Sequence, residues 1–242
     1  MLESKPEVYL LLPYFDYLDE GLLVFGVLFG SLLTALITGI ALHEASHAFT
    51  ADRLGDHTAR MLGRVSVNPL RHLDPLGSLL LLMVGFGWGK PVPVNPSRLR
   101  HGPEKGRAMV AAAGPLMNLA IAVLAALPFQ LGLIDWDIRG PVSSWGADQY
   151  ASLYLGSLVL INVLLAVFNL LPIAPLDGFA VALGLMPRDL ARDFARLERY
   201  GILILMLLIM VPYVSNNQLP GLWSVMGPIV EGVTDVIVGQ NA

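Results

Sequence analysis

His43-Glu44-Ala45-Ser46-His47 places two imidazoles and a carboxylate within five residues. On a helix, His43 and His47 are four residues apart and share one face. Two imidazoles at that spacing can grip one Zn²⁺, and the glutamate between them can accept a proton from a water on that ion. The motif lies inside an apolar run from Gly21 to Ala51. Ionisable side chains are costly inside a bilayer and are kept there for function. The rival reading is two histidines and a glutamate satisfied by hydrogen bonds alone, and the apolar setting weighs against it.

A catalytic zinc takes three protein ligands and leaves one position open. The chain has no cysteine, which excludes a thiolate zinc site, a disulfide framework and a thiol nucleophile. The third ligand must then be a histidine or a carboxylate. His57, His72 and His101 fall in charge-rich loops, whereas Asp177 directly follows an apolar segment. Pro172, Pro175 and Gly178 around it bend the backbone, so that a short side chain can point into a helix bundle. A helix-end or turn aspartate is the alternative role. One zinc ion is expected.

These groups must be positioned by membrane helices. Of 242 residues, 55% are hydrophobic and 14% charged, and mean hydropathy is +0.64. That composition is too apolar for a soluble domain and fits an integral membrane protein. No basic patch for nucleic acid, no phosphate-binding glycine loop and no internal repeat is present. The acidic start lacks the basic region of a signal peptide.

Residues 1–20 read as an interfacial arm, 21–214 as the membrane core, and 215–242 as a tail of open depth. Four spans are expected, at 21–51, 108–134, 151–171 and 197–214. Four of the fifteen Lys and Arg lie in 52–75, five in 89–107 and four in 188–199. The positive-inside rule puts these three segments on the cytoplasmic side. Residues 76–88 lie between two of them and would reach only ~20 Å as a helix, against ~30 Å of hydrocarbon. They are predicted to dip into the membrane and return. The His43–His47 motif and Asp177 then both sit near the cytoplasmic face, whereas a full crossing by 76–88 would set them on opposite sides. Residues 64–68 and 90–95 alternate with the period of a strand. The predicted fold is therefore an all-α polytopic membrane protein with about four transmembrane helices, a re-entrant element and short β-strands near the cytoplasmic face.

At this point HEASH in a membrane helix, GRVSVNPLRHLDPLG, KPVPVNP, AGPLMN and FNLLPIAPLDG together resemble the site-2 protease family of intramembrane zinc metalloproteases. The likeness runs from about residue 36 to 200, with the motifs in the family's order, and is to the compact prokaryotic branch without a PDZ or CBS domain. The resemblance implies that His43, His47 and Asp177 bind zinc and that Glu44 is the general base. It also implies that Asn169 lies near the metal and hydrogen-bonds the substrate or transition state.

The activity so implied is hydrolysis of transmembrane segments of other membrane proteins, as in regulated intramembrane proteolysis. The implied setting is a prokaryotic plasma membrane, with the site near the cytoplasmic face. Val65, Val67, Val92 and Val94 would line an edge that holds an unwound substrate by strand addition, or would merely cover the site. Pro91 and Pro93 suit an edge strand. Asn118, in AGPLMN, reads as interhelical hydrogen-bonding glue rather than a catalytic residue. Gly114 and Pro115 read as a point of close helix approach or a kink. A membrane metal transporter and a proteolytically inactive, membrane-protein-binding relative are the alternatives.

Overall fold

The computed structural model describes residues 21–84, 89–136, 142–215 and 220–239. The predicted arm at 1–20 lies outside them. Among the described residues eight helices of eight or more residues follow in order: α1 (Leu22–Arg53), α2 (Pro75–Val84), α3 (Pro103–Gln130), α4 (Ala147–Asn169), α5 (Asp177–Leu185), α6 (Arg188–Ala195), α7 (Gly201–Val214) and α8 (Leu222–Val238). Shorter helical turns join several of them.

Helices α1, α3 and α4 are long and apolar enough to cross a membrane. Their boundaries follow from local chemistry. Pro103 opens α3, where a missing N–H costs nothing. Gln149 Oε1 accepts the Gly146 amide at the start of α4. Asp74 Oδ1 accepts the Gly77 amide and starts α2, which accounts for the aspartate of RHLDP as a cap.

The core is built from small and branched side chains. Ala122, Ala126 and Phe129 of α3 pack with Val159, Val163 and Val167 of α4 and with Met226, Val230 and Ile237 of α8. Small residues let backbones approach where lipid supplies no hydrophobic drive for helix association. Tyr154 of α4 donates to the Thr34 hydroxyl of α1 at 2.9 Å, a polar tie between two membrane helices. Gln130, at the end of α3, donates to the Ile237 carbonyl at the end of α8. Helix α8 therefore runs beside α3 in the same sense, and residues 222–238 belong to the bundle.

Two expectations are corrected. The fourth span expected at 197–214 is not among the helices long and apolar enough to cross, for there a 3₁₀ stretch, Arg196–Tyr200, leads into the 14-residue α7. The short β-strands also fail to form. Among the described residues there is a single isolated bridge, Leu73 antiparallel to Gly89. Pro91 and Pro93 cannot donate to a ladder. The Lys90 carbonyl is taken by the guanidinium of Arg64 rather than by a strand.

The same bridge bears on the re-entrant element. Residues 85–88 lie outside the described set, but Lys90 N–H donates to His72 O at 2.6 Å beside the Leu73–Gly89 pair. The chain thus leaves and rejoins one place around α2.

Candidate metal centre

His43 and His47 lie ten and six residues before the end of α1, or ~15 and ~9 Å along its axis. Val110 and Gly114 lie seven and eleven residues into α3, or ~10 and ~17 Å from its start. Two helices running in opposite directions therefore meet at one depth.

The third contributor arrives by a tight turn. After α4, residues 170–176 fold back, and Asp177 is the first residue of α5. A Cβ at Gly178 would lie 2.1 Å from the Leu170 carbonyl oxygen. Only glycine allows the start of α5 to seat against the end of α4, and this seating aims Asp177 inward.

Asp177 Oδ2 lies 3.0 Å from His43 Nε2 and 3.2 Å from His47 Nε2. The two imidazoles stand edge to face, 4.6 Å apart between centroids. The ligand atoms of the three residues lie within 4.8 Å of one another. Among the described residues this is the only such group of three or more His, Asp or Glu.

The other ring nitrogens are already committed. His47 Nδ1 faces the Val110 carbonyl at 2.7 Å, and His43 Nδ1 faces Asn118 Oδ1 at 2.6 Å. Each Nδ1 therefore donates its proton to oxygen, which leaves Nε2 of each ring as the atom turned towards Asp177. Asp177 Oδ2 is itself buried without a hydrogen-bond donor. Three lone pairs converge on one small space, which is the donor set a zinc ion takes.

Gly114 completes the cradle. A Cβ built there would lie 2.5 Å from both Nε2 atoms. Its neighbour Pro115 has no N–H for the Ala111 carbonyl, which loosens α3 beside the Val110 carbonyl used by His47.

Glu44 is half-buried on the same turn of α1. A Cβ at Gly89 would sit 3.3 Å from Glu44 Oε1 and 3.0 Å from Ile40, so the backbone at Gly89 lies against the glutamate. Asn169, the last residue of α4, uses one amide hydrogen on the Leu165 carbonyl of its own helix at 2.9 Å. Val65, Val92 and Val94 are half-buried and Val67 is exposed. None of the four makes a backbone hydrogen bond to a described residue. Val94 also packs on Ala51, Leu99 and Val110, beside the carbonyl that holds His47.

Spacing alone does not reveal Asn118, Asn162, Gly89 and Arg64 as parts of this region. The available signal was an amide in each of two apolar helices, together with a buried arginine in GRVSVN. Asn118 and Asn162 are fully buried, and Arg64 is 8% exposed.

A family model described as Peptidase family M50 matches residues 136–212. Three relatives carry the name "Putative zinc metalloprotease". YwhC of Bacillus subtilis (strain 168) is 35% identical over 181 residues, covering 75% of this chain and 80% of the relative. Rip2 of Mycolicibacterium smegmatis is 31% identical over 190 residues, covering 76% and 68%. Rip2 of Mycobacterium tuberculosis H37Rv is 30% identical over 200 residues, covering 80% and 72%. No solved structure matches the chain. The chain is a membrane protein that belongs to peptidase family M50, the site-2 protease family.

Proposed function

We propose that the protein is an intramembrane zinc endopeptidase that hydrolyses peptide bonds in transmembrane segments of other membrane proteins. The observation that carries this reading is the meeting of His43, His47 and Asp177 at one depth inside an apolar bundle, with Glu44 on the same turn as the histidines. The zinc metalloprotease names of its relatives support the choice of metal.

His43, His47 and Asp177 would hold the ion. Bound zinc supplies a Lewis acid that polarises a carbonyl and brings the pKa of water towards ~7. Glu44 then takes the proton of the attacking water on a carboxylate oxygen and returns it to the nitrogen of the departing amine. Asn169 offers its second amide hydrogen to the oxygen that gains charge. The low polarity of the bundle strengthens each of these interactions.

Among the described residues the backbone N–H and C=O groups of Val92 and Val94 have no hydrogen-bond partner, and Pro91 and Pro93 beside them carry no N–H. Alternate residues of an extended strip present their backbone groups to one edge. We assign this edge, with Val65 and Val67, to holding the substrate in extended form, and Gly89 delivers it beside Glu44.

The positive-inside rule places the basic loops, and hence the site, towards the cytoplasm. Helices α1, α3 and α4 span. The re-entrant segment enters and leaves by one face, as the Leu73–Gly89 bridge supports. Helix α8 packs beside α3 against this bundle.

A metal transporter would need further ligand groups along a path to the other face, and among the described residues there is no second group. The test is to incubate the detergent-purified protein with a panel of membrane-helix substrates, with and without a zinc chelator. Cleavage is expected to stop with chelator and to fall by about 10³-fold in Glu44→Gln, whose zinc content stays that of wild type. Cleavage retained by Glu44→Gln overturns the mechanism.

A further inference from the structure

Three helices meet at His43 through a chain of amides whose direction is fixed. Asn162 Nδ2 donates to the Leu158 carbonyl of its own helix at 2.9 Å. Its Oδ1 is thereby the atom presented to Asn118, and Asn118 Nδ2 donates to it at 3.0 Å. Asn118 Nδ2 also donates to the Gly39 carbonyl of α1 at 3.2 Å. Both amide hydrogens of Asn118 are then committed, so the group facing His43 Nδ1 at 2.6 Å can only be the acceptor oxygen. An acceptor at that place puts the imidazole proton on Nδ1 and leaves the lone pair on Nε2, the atom beside Asp177. Asn118 and Asn162 are both 0% exposed, so no water stands ready to replace either amide.

His47 is held differently. Its Nδ1 proton goes to a backbone carbonyl, Val110 O, which no substitution removes. An Asn118 amide turned the other way would press an N–H₂ group on His43 Nδ1 and drive the proton to Nε2, removing one ligand. Gly39 and Asn162 oppose that turn from two separate helices.

We infer that Asn118 is a positioning residue for metal capture. Held by Asn162 and the Gly39 carbonyl, it fixes the tautomer and ring plane of His43. The inference rests on the zinc reading above and adds to it which side chains set the affinity of the ion. Partners of this kind on metal-ligating histidines are worth about 10–100-fold in metal affinity.

The full chain in detergent is titrated with zinc against a competing chelator, and the melting temperature of the metal-free protein is followed alongside. Asn118→Leu is expected to weaken zinc binding by about 10–100-fold. Asn118→Asp, which keeps an acceptor oxygen on His43 Nδ1, recovers most of that loss, whatever either substitution does to the melting temperature. Asn162→Leu leaves that acceptor in place but frees one hydrogen of the Asn118 amide, and is expected to weaken binding by about tenfold.

Wild-type affinity in Asn118→Leu overturns the inference, as does an Asp variant as weak as the Leu variant. Should Asn118→Leu fail to fold, unchanged affinity in Asn162→Leu overturns it equally. A wild-type protein that takes up no zinc overturns the zinc reading itself, whereas zinc uptake unaffected by these variants overturns only the role of Asn118.

Discussion

The His43–His47–Asp177 cluster and the strip at 89–95 are joined through Glu44 and Val110 but are held in opposite ways. Around His43, His47 and Asp177, position is over-determined. His43 leans on Asn118, Asn118 on two helices, His47 on a backbone carbonyl, and Asp177 on the close seating of Gly178. Along the strip, Lys90 is fixed by the His72 carbonyl and the Arg64 guanidinium, and Asn95 by Asp56. Between these anchors the backbone groups of Val92 and Val94 have no partner among the described residues. Rigid elements hold the groups that must meet one ion at fixed geometry. A strip with free donors and acceptors can accept peptides of many sequences, because main-chain hydrogen bonds do not read side chains.

The sharpest way to break this contrast is at the rigid end. Gly114→Ala places a methyl group where both Nε2 atoms lie 2.5 Å away. Interiors packed at this density do not absorb such a group, and the imidazoles must separate. Zinc content is expected to fall close to zero and cleavage by about 10³-fold or more, while helical circular dichroism stays at the wild-type value. A Gly114→Ala protein that holds one zinc with wild-type affinity would show that the cradle is not rigid.

The parts legible in the sequence are those that depend on local spacing or on counting charges. The histidine pair needs only the helical repeat. Asp177 could be picked out because the basic loops around 76–88 require the chain to return to the same face, and the Leu73–Gly89 bridge shows its two ends together. Asn118 was not assigned its contact with His43, because that contact depends on where α1 crosses α3, which no spacing along one helix reports.

The strands were over-read for a different reason. RVSVN and PVPVN have the right alternation, but alternation does not supply donors, and Pro91 and Pro93 remove them. The apolar stretch 201–214 outweighs 222–238 in hydropathy, yet neither is among the three helices long and apolar enough to cross a membrane. Helix α8, though interrupted by Pro228 and carrying Glu231 and Asp235, places Met226, Val230 and Ile237 in the core.

At the adaptable end smaller effects are expected. Arg64 is buried and holds the Lys90 carbonyl next to the residue that lies on Glu44. Arg64→Met keeps the aliphatic stem and loses the clamp. The strip then drifts from Glu44 without any change at the ligands. Zinc affinity is expected to stay at the wild-type value, while KM for a membrane-helix substrate rises by about tenfold and kcat changes little. A fall in zinc affinity equal to the rise in KM would mean that strip and cluster are one rigid unit.

The smallest effect belongs to Asp56, which anchors the far end of the strip. Its carboxylate is fully buried and accepts the Asn95 amide at 2.6 Å together with the amide and hydroxyl of Thr58. Burial by itself would raise its pKa, but these hydrogen bonds, with Arg98 nearby, hold it below the usual carboxylate value. A carboxylate with a lowered pKa in the folded state stabilises the fold fully above the unfolded value of about 3.9. That stability is lost as pH falls through the folded value. Asp56→Asn should therefore lower stability at pH 7 by about 1–2 kcal/mol, or a melting shift of about 5 °C. The difference from wild type should shrink steadily below pH 4. Melting curves from pH 7 to pH 3 in one detergent measure it. A difference that does not narrow with acid would place the anchor in the shape of the turn around Asp56 rather than in its charge, and the far end of the strip would then be held by packing, as Asp177 is held by the seating of Gly178.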